Sequence, residues 1–275
     1  YRLADHLGLR MGQVKHPFGI YTEVFSVGTL RPFLDLPQGV YGPVGFAGQS
    51  YKGIGLTGVA GGGAWSLDYD VYGGGNDLQK FAVPEAFLHG DSLQRASSEI
   101  ELQSTRNVIG GRLVLHTPVQ GLSVGASSYT GILNEPAANR VTVAAAQLEY
   151  RSNRFTFETE LAHENQAGDE YATGYYAQAA YRLSPEWQLA GQYDYLKNTF
   201  VGVSSAAAPS LQYHKEGALA LSRWFSRSLV LRAEYHRISG NRFAMPHPED
   251  LLGAVNAGTL RTTTDLVQVG GQFSF

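Results

Sequence analysis

The chain has 275 residues, a formal net charge of −3, 16% charged residues, 33 glycines and no cysteine. So small a charge excludes the basic footprint of a nucleic-acid binder, and the missing thiols exclude disulfide staples, thiolate metal sites and covalently attached haem. Charged residues fall below the roughly 25% of ordinary soluble domains. Yet 53–67 is too short and glycine-rich for a spanning helix of about 20 apolar residues, and 113–134 carries His116, Pro118 and Gln120.

The start, Tyr1-Arg2-Leu3-Ala4-Asp5-His6, has no signal-peptide character. Either a leader was removed or the chain begins partway into a longer protein. Period-two alternation then predicts strands near 6–18, 50–60, 64–73, 106–118, 121–132 and 141–151. Six more fall near 154–163, 171–183, 186–197, 211–223, 228–238 and 264–275. In 64–73, Trp65, Leu67, Tyr69 and Val71 oppose Ser66, Asp68 and Asp70. In 154–163, Phe155, Phe157 and Leu161 oppose Thr156, Glu158 and Glu160. Trp187, Leu189, Tyr193 and Tyr195 oppose Gln188, Gln192 and Asp194, and Leu229, Leu231, Ala233 and Tyr235 oppose Arg232, Glu234 and His236. Successive side chains of a strand point to opposite faces, so each segment has one apolar and one polar wall.

Tight connections at Gly61-Gly62-Gly63, Val119-Gln120-Gly121, Ser152-Asn153, Ser184-Pro185-Glu186 and Phe225-Ser226-Arg227 alternate with long ones at 19–49, 74–105, 133–140, 164–170, 198–210 and 239–263. Strands of bilayer length, in even number, with short turns on one side and long loops on the other, describe an all-β, transmembrane, antiparallel up-and-down β-barrel. About twelve complete strands form one domain over 1–275. A soluble lipocalin-like barrel or sandwich would leave too many polar faces outside. The tryptophans Trp65, Trp187 and Trp224 lie beside short turns. Tyr72, Tyr129, Tyr171, Tyr195, Tyr213 and Tyr235 lie toward the long loops, which places two aromatic girdles at the membrane interfaces. Val267, Val269, Gly271, Phe273 and Phe275 share a face of the last strand, which resembles the terminal signal of outer-membrane assembly.

The runs Gly12-Gln13-Val14-Lys15-His16-Pro17-Phe18-Gly19-Ile20-Tyr21-Thr22-Glu23, Leu30-Arg31-Pro32, Leu36-Pro37-Gln38 with Tyr41, and Arg232-Ala233-Glu234-Tyr235-His236 resemble Gram-negative outer-membrane porins of the phosphate-selective O/P type and its relatives. The resemblance implies a water-filled barrel in the outer membrane that conducts small hydrophilic solutes. In such porins the Gly-x-x-Lys-x-Pro-Phe-Gly strand is not usually the first, and Tyr1-Arg2-Leu3 has the look of an earlier strand's tail. The intact barrel is then expected to have about fourteen or sixteen strands. Phosphate does not carry over, because Lys15, Lys52, Lys80, Lys197 and Lys215 are scattered.

The polar faces predict a wall lined by Arg10, Asp68, Asp70, Arg112, Arg154, Glu158, Glu160, Arg182, Gln192, Asp194, Arg232, Glu234 and His236. Trp65, Trp187, Trp224, Tyr195, Tyr235, Phe273 and Phe275 are the expected interface aromatics. Gly53-Ile54-Gly55-Leu56-Thr57-Gly58 matches a dinucleotide fingerprint, but a glycine turn and another strand follow where a helix is required. The same-face pairs Asp68 with Asp70 and Glu158 with Glu160 suit acid–base work or a hydrated wall equally in type, and the mixed charges favour the wall. No histidine–serine pair of an outer-membrane lipase, metal spacing or nucleophile elbow is present, so neither catalysis, cofactor nor metal is expected. Residues 74–105 either fold inward to narrow the pore or cover its outside. The expected function is a passive diffusion channel with weak ion selectivity, embedded in lipid and lipopolysaccharide; a homo-trimer is the association common in porins, and no exposed seam in the sequence distinguishes it from a monomer. The alternative is a structural barrel that sheathes or anchors a cytochrome, lipoprotein or surface complex.

Overall fold

The computed structural model describes residues 1–4, 6–24, 27–42, 45–81, 100–134, 139–168, 170–200, 209–242, 259 and 261–273. Alternating segments become strands wherever the pattern predicts them. They are β1 (Arg2–Ala4), β2 (Leu7–Lys15), β3 (Ser50–Gly62), β4 (Trp65–Phe81), β5 (Ile100–His116), β6 (Leu122–Leu133) and β7 (Arg140–Arg151), then β8 (Phe155–Gln166), β9 (Glu170–Arg182), β10 (Trp187–Phe200), β11 (Tyr213–Trp224), β12 (Leu229–Ser239) and β13 (Thr263–Phe273). Each pairs antiparallel with its sequence neighbour in one thirteen-stranded sheet of order β1 to β13. Every connection is a hairpin, as an up-and-down barrel requires. The count exceeds twelve by β1, which pairs with β2 through Arg2 and Gly8. Among the described residues β1 and β13 are not paired to each other.

Two boundaries differ from the sequence reading. The second strand stops at Lys15, because Pro17 lacks the N–H that would continue a ladder. β4 and β5 pair out to Phe81 and Ile100, so both ends of the expected long loop 74–105 are strand. The tip, 82–99, lies outside the described residues, and with it the question of whether that loop folds inward.

Parity divides the wall. In β11 the burial pattern alternates strictly, with His214, Glu216, Ala218, Ala220 and Ser222 buried and Lys215, Leu219 and Leu221 exposed. β8 and β9 alternate in the same way. The charged groups of these strands are mostly on the buried face, with small and aromatic residues among them, while the exposed face carries the large apolar side chains Leu161, Leu219 and Leu221, an arrangement that suits lipid outside. What buries the charged set is the chain between β2 and β3, in its described residues 16–24, 27–42 and 45–49. They form two 3₁₀ turns and the short helix α1 (Gln38–Tyr41) and lie against the inner face of the sheet. Arg112 of β5 bonds Gly19, whereas Gln272 of β13 bonds Leu34. One segment can reach both strands only if the sheet curls around it. We call this segment the strap.

A cation at mid-height of the outer face should be costly. Leu219 is 59% exposed near the middle of β11. Leu219→Arg is expected to lower unfolding stability in lipid vesicles by about 2–4 kcal/mol, read as a shift in the urea unfolding midpoint. Arginine at the rim position Leu183 should cost far less.

Candidate functional site

A strap with little secondary structure carries backbone N–H and C=O groups that must find partners once it is buried. The wall supplies them. Ile20 N donates to Glu160 Oε1 of β8 at 3.0 Å, Gly39 N to Asp194 Oδ1 of β10 at 2.7 Å, and Leu34 N to Glu234 Oε1 of β12 at 2.6 Å. In the opposite sense, Arg112 Nη1 donates to Gly19 O at 3.2 Å and Arg232 Nη1 to Gly28 O at 3.3 Å, with Arg31 O accepting from Arg232 as well. Ser127 Oγ accepts from Gly19 N, and Tyr129 donates its hydroxyl to Phe46 O. Hydrogen bonds to charged groups are the stronger kind, about 1.5–3 kcal/mol each.

Three clusters fix the strap laterally. At one end Arg10 and Arg112 hold Glu23, and Arg112 also meets Asp70 at 3.1 Å. Burial would raise the Glu23 carboxyl, but the two guanidiniums outweigh it and hold the group below the usual carboxylate range. In the middle Tyr21 donates to Glu158 and Tyr41 to Glu160, while Gln178 bonds both Tyr21 and Glu158. Burial first, then the neighbouring carboxylates, push both hydroxyls well above the ordinary tyrosine value, so they remain donors. At the far side α1 lies directly on the wall. A Cβ on Gly39 would stand 2.2 Å from Asp194 Oδ1, and one on Gly174 would stand 1.9 Å from Gly39 O. Only glycine at both positions permits this approach.

Aromatic packing completes the seat. His16 is fully buried between the rings of Tyr72 and Tyr129, each with its centroid 5.0 Å away. Its Nδ1–H donates to Gly48 O, which can only accept, so Nε2 accepts from the Tyr72 hydroxyl. Burial, with Arg112 adding to it and the Gly48 bond opposing, lowers the imidazole from 6.5 to about 4.

Asp70, Arg112, Glu158, Glu160, Gln192, Asp194, Arg232, Glu234 and His236 thus share the inner face, but they are covered by the strap rather than by open water. Arg10 stands beside them, half-buried. Asp68 bonds His116 at 3.0 Å, both half-exposed. Arg154 lies exposed in the turn before β8, and Arg182 lies exposed at the end of β9. Partly exposed inner groups therefore lie near the short turns of β4, β8 and β9, whereas on β12 and β13 the strap reaches Arg232 and Gln272, close to the short-turn end. A cavity of about 510 Å³ remains beside the strap, bounded by Arg31, Asp35, Gln38, Tyr41, Gln49 and Asp77.

Trp65, Trp187, Tyr235 and Phe273 are exposed on the outer face and Tyr195 is half-buried there, its ring tilted against that of Tyr175 with centroids 5.1 Å apart. Phe275 lies outside the described residues. Trp224 is a correction. It shares the parity of the buried Ser222 and Ala220, so it turns inward, while Arg223 on the outer parity stacks over Trp187. Tyr72 and Tyr129 are likewise inside, packed on His16, not in a girdle. Height along the barrel was readable from turn positions, but face was not. The strap itself was missed, although Phe18, Tyr21, Phe33, Leu36, Val40 and Phe46 give this loop more apolar residues than solvent would favour.

No protein-family model and no curated protein matches the sequence. Solved structures do, and they place the chain in a class: it has the fold of outer-membrane β-barrels. OmpT of Vibrio cholerae is similar with a TM-score of 0.53 and 10% identity, over 86% of this chain and 68% of that one. Its loop L8 deletion mutant is similar with a TM-score of 0.55 and 10% identity, over 98% and 76%. The outer membrane channel DcaP of Acinetobacter baumannii is similar with a TM-score of 0.51 and 8% identity, over 84% and 65%.

The glycine contact and the buried histidine each predict a loosened strap. Gly39→Val should expose Tyr21, Phe33 and Tyr41 to chymotrypsin, with cleavage roughly tenfold faster or more than in the parent under native conditions. For His16 the undocked state binds more protons between pH 6.5 and about 4. Docking stability is therefore full above pH 6.5 and falls as pH drops through this window, by about 3 kcal/mol in the limit. Strap cleavage by an acid-active protease should rise on acidification in the parent. It should lose that component in His16→Gln.

Proposed function

We propose that the chain is an outer-membrane channel for passive diffusion of small hydrophilic solutes or ions, without catalysis, in which the strap is the constriction. The observation that supports this most directly is the strap's seat. A segment of the chain lies across the lumen on charged side chains and leaves a cavity of about 510 Å³ beside it, bounded in part by Arg31, Asp35 and Asp77. Selectivity in such a pore follows from its width and from the charges left facing water. Here the acids of the wall and the arginines among them are largely engaged with the strap, so weak ion preference is expected. Arg31, Asp35 and Asp77 of both signs face the remaining space, which suits small polar solutes and gives no phosphate-specific cluster. Trp65, Trp187, Tyr195, Tyr235 and Phe273 belong to the same reading as interface anchors. The sheath alternative has less support, because the inner wall where a partner would sit is already covered by the strap.

Single-channel current across a planar bilayer tests the proposal. The parent should give stable small steps with little cation–anion preference. Gly39→Val should give steps roughly twofold larger or more as the strap leaves the lumen. Silence from both, in correctly folded and heat-modifiable protein, would sink the channel reading.

A further inference from the structure

We propose that the inner wall beneath α1 holds a site for a divalent transition-metal ion of the zinc type, with Asp194, His214 and Glu216 as its ligands. Asp194 on β10 stands directly across from Glu216 on β11, and His214 is the next inward residue of β11. One ligand atom from each lies within 4.8 Å of the others, and all three residues are buried. Imidazole with carboxylates is a donor set that suits zinc and its neighbours better than magnesium or calcium, which prefer oxygen alone.

Independent observations point to a missing cation. Asp194 is fully buried, and although its Oδ1 accepts from Gly39 N, its Oδ2 has no hydrogen-bond partner. Gln192 Oε1 is buried without a partner as well. A cavity of about 130 Å³ lies alongside, bounded by Gln192, His214, Glu216, His236 and Gln268, large enough for an ion and its water. Glu234 brings the carboxylates here to three. Among the described residues no lysine or arginine ion-pairs with any of them, the partners of Glu216 and Glu234 being imidazoles. Arg232, from the next strand, is turned to strap carbonyls. Those imidazoles can serve Glu216 and Glu234 as cations, but among the described residues no cationic side chain pairs with the buried Asp194, and a bound divalent ion would compensate it.

The outer contacts fit as well. His236 Nδ1 lies 2.5 Å from Glu216 Oε1 and its Nε2 lies 3.1 Å from Glu234 Oε2, a support that orients a ligating carboxylate from behind. His214 Nε2 lies 3.0 Å from Glu216 Oε2. Metal entry displaces the proton between these two atoms and takes both as ligands. Because the other Asp194 oxygen carries Gly39, the ion would brace the wall at the point where α1 touches it. Sequence spacing hid the site, since Asp194 comes from a different strand from His214 and Glu216.

The test uses untagged, chelator-stripped protein folded in detergent, titrated calorimetrically with zinc chloride and, in parallel, with cobalt chloride followed by visible absorption. One ion per chain, with the d–d bands of a low-coordinate cobalt site, is expected. Asp194→Asn and His214→Gln should abolish it, His236→Gln should weaken it roughly 10–100-fold, and the exposed His163→Gln should leave it unchanged. Heat-modifiable migration checks that each variant is folded. Absence of stoichiometric binding in the parent, or cobalt bands that survive in folded His214→Gln, would overturn the proposal. The parent's own cobalt spectrum decides the matter even where a variant does not fold. Both readouts are independent of whether the barrel conducts.

Discussion

Everything inside this barrel depends on one requirement, that the strap's peptide groups be hydrogen-bonded where no sheet or long helix can do it. The wall answers with side chains of both signs. Carboxylates of β8, β10 and β12 take strap N–H groups, and guanidiniums of β5 and β12 give to strap carbonyls. Neutral hydroxyls at Ser127 and Tyr129 contribute, but the charged groups supply the stronger bonds, acids for the N–H groups and guanidiniums for the carbonyls. The mixture of acids and bases along the inner wall is therefore more than a way of keeping the lumen hydrated. It is the complement of an irregular backbone.

Much of the fold was legible because a strand's period of two leaves little freedom. Glu158 and Glu160 share a face, and Phe155 and Phe157 the other, whatever the rest of the chain does. Turn chemistry set the hairpins, and Gly121, at φ +81, marks one of them. The strap was not legible, because its contacts obey no period. Glu160 looks the same in sequence whether it faces water or Ile20. Nothing in Tyr72 or Tyr129 distinguishes a ring at the lipid boundary from one packed on a buried histidine. Trp224 shows the same limit at a strand end, where one residue of offset exchanges inside for outside. The Asp194, His214 and Glu216 cluster required the register of β10 against β11, which no single-strand pattern contains.

The inner-wall groups differ in kind with their distance from the strap. Toward the short turns, Asp68 with His116 and Arg151 with Glu149 are partly exposed pairs, of the sort worth little in water. Beneath the strap similar groups are enclosed and engaged, so the same residue types act there as fixed structure.

The strap's partners are remote in the chain. Ile20 meets Glu160 across 140 residues, and Leu34 meets Glu234 across 200. Hairpins between neighbouring strands close short loops and can form early, whereas these contacts carry a large chain-closure entropy and wait on the hairpins. A segment between β2 and β3 in this way needs strands as distant as β12 before its seat is complete. Until then the wall must stand as a curled sheet with its charges open to water. The strap's seat thus requires strands from β5 to β12 to stand in place together.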